Sequence, residues 1–138
     1  MKKIFVILLG VLMIGLMGYN WQSSPVQTAE AQVTSLATGT VTGTAANINV
    51  SLGFTPRYVI VSNPSTTTVV KVEWSKGMAA ASCTKFLDSA TAGSIISKIT
   101  VSCISEYAGS TTTAPGFRIG TDSDLNISGD TLHYRAWR

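Results

Sequence analysis

Thr67-Thr68-Val69-Val70-Lys71-Val72-Glu73-Trp74 (TTVVKVEW) decides the fold class. Val70, Val72 and Trp74 fall on one side of an extended chain and Lys71 and Glu73 on the other, the period of two of a strand with one buried face. Ser75-Lys76-Gly77 then turns the chain. The signature repeats outward. Upstream, Arg57 to Ser62 (RYVIVS) is β-branched and aromatic and is stopped by Asn63-Pro64-Ser65. Before it, Ala45 to Leu52 puts Ile48, Val50 and Leu52 on one face until Gly53. Downstream, Ile95 to Ile104 alternates, Phe117 to Ile119 is short, and Thr131 to Trp137 closes the chain with Leu132, Tyr134 and Ala136 facing one way.

Short period-two runs between turn signals predict an all-β domain, a small antiparallel β-sandwich or barrel over residues 45–138. A parallel α/β fold would need crossovers of about a dozen residues or more, which the pattern does not offer. Met78 to Leu87 contains Ala79, Ala80 and Ala81 but has neither an N-cap nor an amphipathic period, and reads as an irregular crossing loop. Gln32 to Thr44 is a low-charge Thr/Ser-rich stretch, read as an extended linker that is β-capable and free to pair with an adjacent subunit's open edge.

The N-terminus carries its own message. Lys2 and Lys3 precede an uncharged apolar run from Ile4 to Tyr19, a polar stretch follows, and Ala29-Glu30-Ala31 gives an A-x-A pattern. This is the three-part layout of a secretory signal peptide. The run is slightly short of the ~20 residues of a spanning helix, yet Tyr19 and Trp21 suit a membrane interface. Residues 1–31 are therefore read as a hydrophobic helix that is either a cleaved signal or an anchor, with membrane contact only through residues 4–19 if uncleaved.

Export gives the cysteines a meaning. Cys83 and Cys103 are the only two, and an oxidising compartment favours joining them, the alternative being two separately buried thiols. Among 138 residues there are ten Lys and Arg against seven Asp and Glu, a net charge of +3, too weak and scattered for a nucleic-acid footprint. With one histidine and few acids, there is little material for catalysis or for a cofactor site.

His133 is the one candidate general base, on a strand face with Thr131, Arg135 and Trp137, but no G-x-S-x-G elbow accompanies it. Asp122 and Asp124 open an Asp-rich loop that runs to Asp130. The calcium-loop pattern fails there, because positions six and twelve hold Ile127 and His133. Such a loop otherwise bonds its own backbone. Trp74, Trp137, Phe54, Phe117 and Tyr134 form either a sugar platform or ordinary packing. Asn49-Val50-Ser51 and Asn126-Ile127-Ser128 fit the glycosylation sequon.

Three stretches taken together resemble a known class. They are Ser51-Leu52-Gly53-Phe54-Thr55-Pro56-Arg57-Tyr58-Val59, then Trp74-Ser75-Lys76-Gly77-Met78, then the segment from Gly116-Phe117-Arg118-Ile119-Gly120 through Asn126 and Gly129 to Tyr134 and Ala136. In this order they are similar to small β-rich structural proteins, of the head-decoration or fibre kind, of tailed bacteriophages and prophages. The resemblance spans roughly residues 45–137. It implies a non-enzymatic structural role on a virion surface, as a homo-oligomer or beside other surface subunits, and brings no catalytic residues. The leader and the two cysteines are additions to that pattern, and suit a domain carried to a cell surface. The expectation is an exported, self-associating structural protein. The alternative is a secreted module that binds a surface glycan or receptor through Trp74, Trp137, Asp122 and Asp124.

Overall fold

A computed structural model describes residues 35–64, 68–89 and 93–138. The expected N-terminal helix lies outside these residues. Within them the chain is all-β: β1 (Leu36–Thr42), β2 (Ile48–Ser51), β3 (Tyr58–Asn63), β4 (Thr68–Ser75), β5 (Ser82–Ser89), β6 (Gly93–Tyr107), β7 (Gly116–Ile119) and β8 (Thr131–Trp137). All form one antiparallel sheet in the order β1-β8-β3-β4-β5-β6-β7-β2. Of the two expected forms, a sandwich or a barrel, the described residues show no second packed sheet but a single sheet that curls into a half-barrel.

The connectivity explains the curl. β1 and β2 are consecutive in sequence, separated only by residues 43–47, yet they are the two edges of the sheet. Laid flat, eight strands spaced about 4.8 Å apart would hold those edges roughly 34 Å from each other. A connector of that length reaches at most about 20 Å. The sheet must bend to close the gap.

Bending gives the sheet an inside, and strand alternation fills it. Register places Val59 between Trp74 and Ala136, and Val61 between Val72 and Tyr134. All but the partly buried Tyr134 lie in the core, with Phe117, Ile119, Ile104, Val50 and Leu132. Phe117 meets Tyr134 edge-on at 5.5 Å. Leu125 seals the core from the loop between β7 and β8.

Two segments differ from expectation. The stretch read as a linker contributes β1, which pairs along its whole length with β8 of its own domain. The stretch read as a crossing loop contributes β5, paired with both β4 and β6. Neither strand alternates cleanly, β1 having Gly39 and Ala37 on its inner face and β5 having Lys85 inside with Phe86 and Leu87 adjacent, so long-range pairing sets their structure.

β6 carries an interruption that organises one end of the domain. Ser82 pairs with Ile104 while Cys83 pairs with Ile99, so residues 100–103 bulge outward, with Ser102 at φ +61°. Cys83 and Cys103 are joined by a disulfide, their Cα atoms 5.9 Å apart. The carbonyls of Cys103 and Ser102 accept from the N–H groups of Gly120 and Asp122 at 2.5 and 2.9 Å. A Cβ on Gly120 would sit 2.3 Å from the Ser102 oxygen, so glycine is required for this close approach.

Candidate functional site

The outward side chains of β1, β8, β3 and β4 line up in register rows. One row runs Thr40, His133, Ser62, Lys71, and the next runs Thr38, Arg135, Ile60, Glu73. Beyond it come Leu36, Trp137, Tyr58 and Ser75, where the Tyr58 and Trp137 rings lie 5.4 Å apart. The first row and all of the second but Glu73 line an open trough of about 790 Å³, with Thr38, Thr40, Ser62, Lys71, His133 and Arg135 around Ile60. The ladders fix the spacing of every side chain in it.

Charge in the trough is unevenly distributed. Lys71 Nζ lies 2.9 Å from Glu73 Oε1 and 4.2 Å from the centre of the Phe86 ring. The hydrogen bond from Lys71 holds the Glu73 carboxyl below its ordinary range. Burial, and then the hydrogen bond to Glu73, push the Tyr58 hydroxyl up to about 12. Arg135 and His133 are exposed and have no hydrogen-bond or ion-pair partner among the described residues. His133 thus stands beside Ser62 in an open trough, with no carboxylate bonded to it among the described residues.

The sequence-predicted candidates separate in space. Trp74 is 2% exposed inside the core, its indole Nε1 without a hydrogen-bond partner among the described residues, and it offers no ring face to a ligand. Trp137 lies on the outer face beside Tyr58. Asp122 and Asp124 meet at a residue the sequence reading missed, Lys85, which points inward from β5 and is only 6% exposed. Its Nζ donates to Asp122 Oδ1 and Oδ2 at 2.8 and 2.9 Å and to Asp124 Oδ2 at 2.6 Å. Burial alone would lower the Lys85 ammonium, but the bonds to Asp122 and then Asp124 outweigh it and raise its pKa. Asp122 Oδ1 also accepts from the N–H groups of Asp124 and Leu125. The signal was available: Cys83, Lys85 and Leu87 share one parity along the strand.

The rest of the Asp-rich loop is also structural. Buried Asn126 donates from Nδ2 to the carbonyls of Ala46 and Gly120 at 2.7 and 2.8 Å, and its Oδ1 accepts from Thr44 N–H at 2.9 Å. Asn63 donates to the Leu125 carbonyl and to Asp130 Oδ2 at 3.0 and 2.8 Å. No cluster of three or more His, Cys, Asp or Glu suited to a metal ion occurs among the described residues.

A different kind of surface lies at the first half of β6. β7 covers β6 only over Ile104–Tyr107, so among the described residues Gly93 to Ile99 has β5 on one side and no strand on the other. Ile95 and Ile96 are 44% and 70% exposed along this edge, and Val101 is 68% exposed on the bulge.

Comparison of the chain with protein-family models, with curated proteins and with solved structures finds no match.

Proposed function

We propose that the chain is an exported, non-catalytic structural domain that works by self-association, as its resemblance to virion-surface proteins implies, and that the open edge of β6 is the joint. One observation supports this most directly: among the described residues Gly93 to Ile99 has no strand on its outer side, and it carries two exposed isoleucines and a single charge, Lys98. Natural edge strands are usually protected by charges, prolines or bulges, and a bare one is a template for another strand. The disulfide is consistent with a location outside the cytoplasm.

The occupant is a second copy of the same edge. Antiparallel pairing about a two-fold axis centred on Ile96 sets each Ile96 against its counterpart and each Lys98 against Ser94 of the other copy. Ser94 Oγ already donates to Asp88 Oδ1 at 2.9 Å, so the incoming Lys98 ammonium meets a carboxylate across the joint. The two lysines are kept apart.

Sedimentation velocity of the purified protein over a range of concentrations tests the reading. A concentration-dependent dimer is expected, and Ile96→Lys, which puts like charges at the centre of the joint, should leave a monomer with an unchanged melting temperature. A protein that sediments as a monomer throughout, or an Ile96→Lys variant that still dimerises, overturns it.

A further inference from the structure

The trough on the outer face is the surface that the self-association reading leaves unused. The geometry points to a binding site for an acidic polysaccharide, in which Arg135 pairs with a carboxylate or sulfate group and Trp137 receives the face of a neighbouring sugar ring. Four features support this. The trough holds about 790 Å³, within the range of ligand sites, and its floor is a hydrogen-bonded sheet, so little order has to be gained on binding. The Arg135 guanidinium is exposed and unpaired among the described residues, and its planar fork suits an oxyanion. Hydroxyls of Thr38, Thr40 and Ser62 offer both donors and acceptors to sugar hydroxyls. The Trp137–Tyr58 pair begins one register row from Arg135 on the same face of β8, about 7 Å along the strand.

The electrostatics select an anionic chain. Glu73 is the one acidic side chain in these register rows, and it is already paired with Lys71. Arg57 and Arg138 add exposed cations at the aromatic end, where Arg57 N–H donates to the Trp137 carbonyl at 2.7 Å. A compact phosphate is a poorer fit, because backbone N–H groups on a paired sheet are committed to the ladders and cannot form a cradle. The trough and the β6 edge are different surfaces, so this site stands or falls independently of self-association.

Titration calorimetry of the purified protein at physiological salt tests the site, with polygalacturonate as the carboxylated chain, dextran sulfate as the sulfated one, neutral dextran and a short DNA duplex. Binding to at least one of the first two is expected, and which one identifies the acidic group. Arg135→Ala should weaken it about tenfold, the loss of one charge-assisted hydrogen bond. Arg118→Ala, a cation on β7 outside both the trough and the β6 edge, should leave it unchanged. Absence of binding to both acidic chains overturns the proposal. So does equal binding of neutral dextran or of DNA, or an equal loss from Arg118→Ala.

Discussion

The ammonium of Lys85, inside the curled sheet, is held 2.8 Å from Asp122 Oδ1, a carboxylate that arrives from a loop 37 residues further along the chain. A buried lysine is tolerated only when its charge is met, so this pair fastens the β7–β8 loop to β5.

Removing one partner is therefore worse than removing the charge. Asp122→Ala leaves Lys85 buried beside the half-exposed Asp124 alone and frees two backbone donors, and should cost about 3 kcal/mol. The double variant Lys85→Met/Asp122→Asn, which removes both buried charges and keeps an acceptor for the Asp124 and Leu125 N–H groups, should cost clearly less. Urea denaturation of both variants measures the difference, and the reverse order would mean that the pair does not fasten the loop.

Alkaline pH should destabilise the domain for two concurrent reasons. The folded-state values of Lys85 and Tyr58 are both raised, so each group binds its proton more tightly when folded. The stability they contribute is complete below their unfolded values and is lost as pH rises through the folded ones. For Tyr58 that window runs from 10.0 to about 12. Melting temperature should fall across it, and Tyr58→Phe should flatten part of the fall.

The disulfide closes a loop with a sequence separation of 20 residues, worth on the order of 3 kcal/mol through the unfolded chain. Replacing both Cys83 and Cys103 by serine should lower stability by about that amount. Amide exchange should rise most at Gly120 and Asp122, whose N–H groups bond to the bulge that the disulfide holds. Uniformly faster exchange would show that the bond acts only through the unfolded state.

Gly120→Ala places a methyl group 2.3 Å from the Ser102 carbonyl oxygen, a contact with backbone that no rotamer relieves. A loss of about 1–3 kcal/mol is expected, read by urea denaturation. Gly129→Ala makes a useful contrast: nothing lies within 4 Å of its Cβ, and any cost comes from its positive φ alone.

The strands visible in the sequence are those with alternating large side chains. Val59 and Val61, Val70 to Trp74, and Leu132 to Ala136 alternate because one face packs and the other is wet. β1 is hidden because its inward positions include Gly39, where a Cβ would meet the Tyr134 hydroxyl at 2.6 Å, so the fold demands an absence of side chain there. β5 is hidden by Lys85, whose charge argues for an outward position until its partners are known. In β6, Ile96 and Val101 belong to the alternating stretch Ile95 to Ile104, yet both are exposed, because the edge and the bulge carry them away from the interior. The trough is illegible for another reason. Thr40, Ser62, Lys71 and His133 come from four separate segments and meet only through register, which the sequence does not state.

The short connector of residues 43–47 acts on the whole sheet as a drawstring. It ties one margin to the other, and Asn126 knots it in place. Curvature is thus limited by the length of chain at one point as well as by the core it encloses. Insertions there would slacken the tie and leave the enclosed side chains alone to hold the bend, so how far the sheet can open is set at one address.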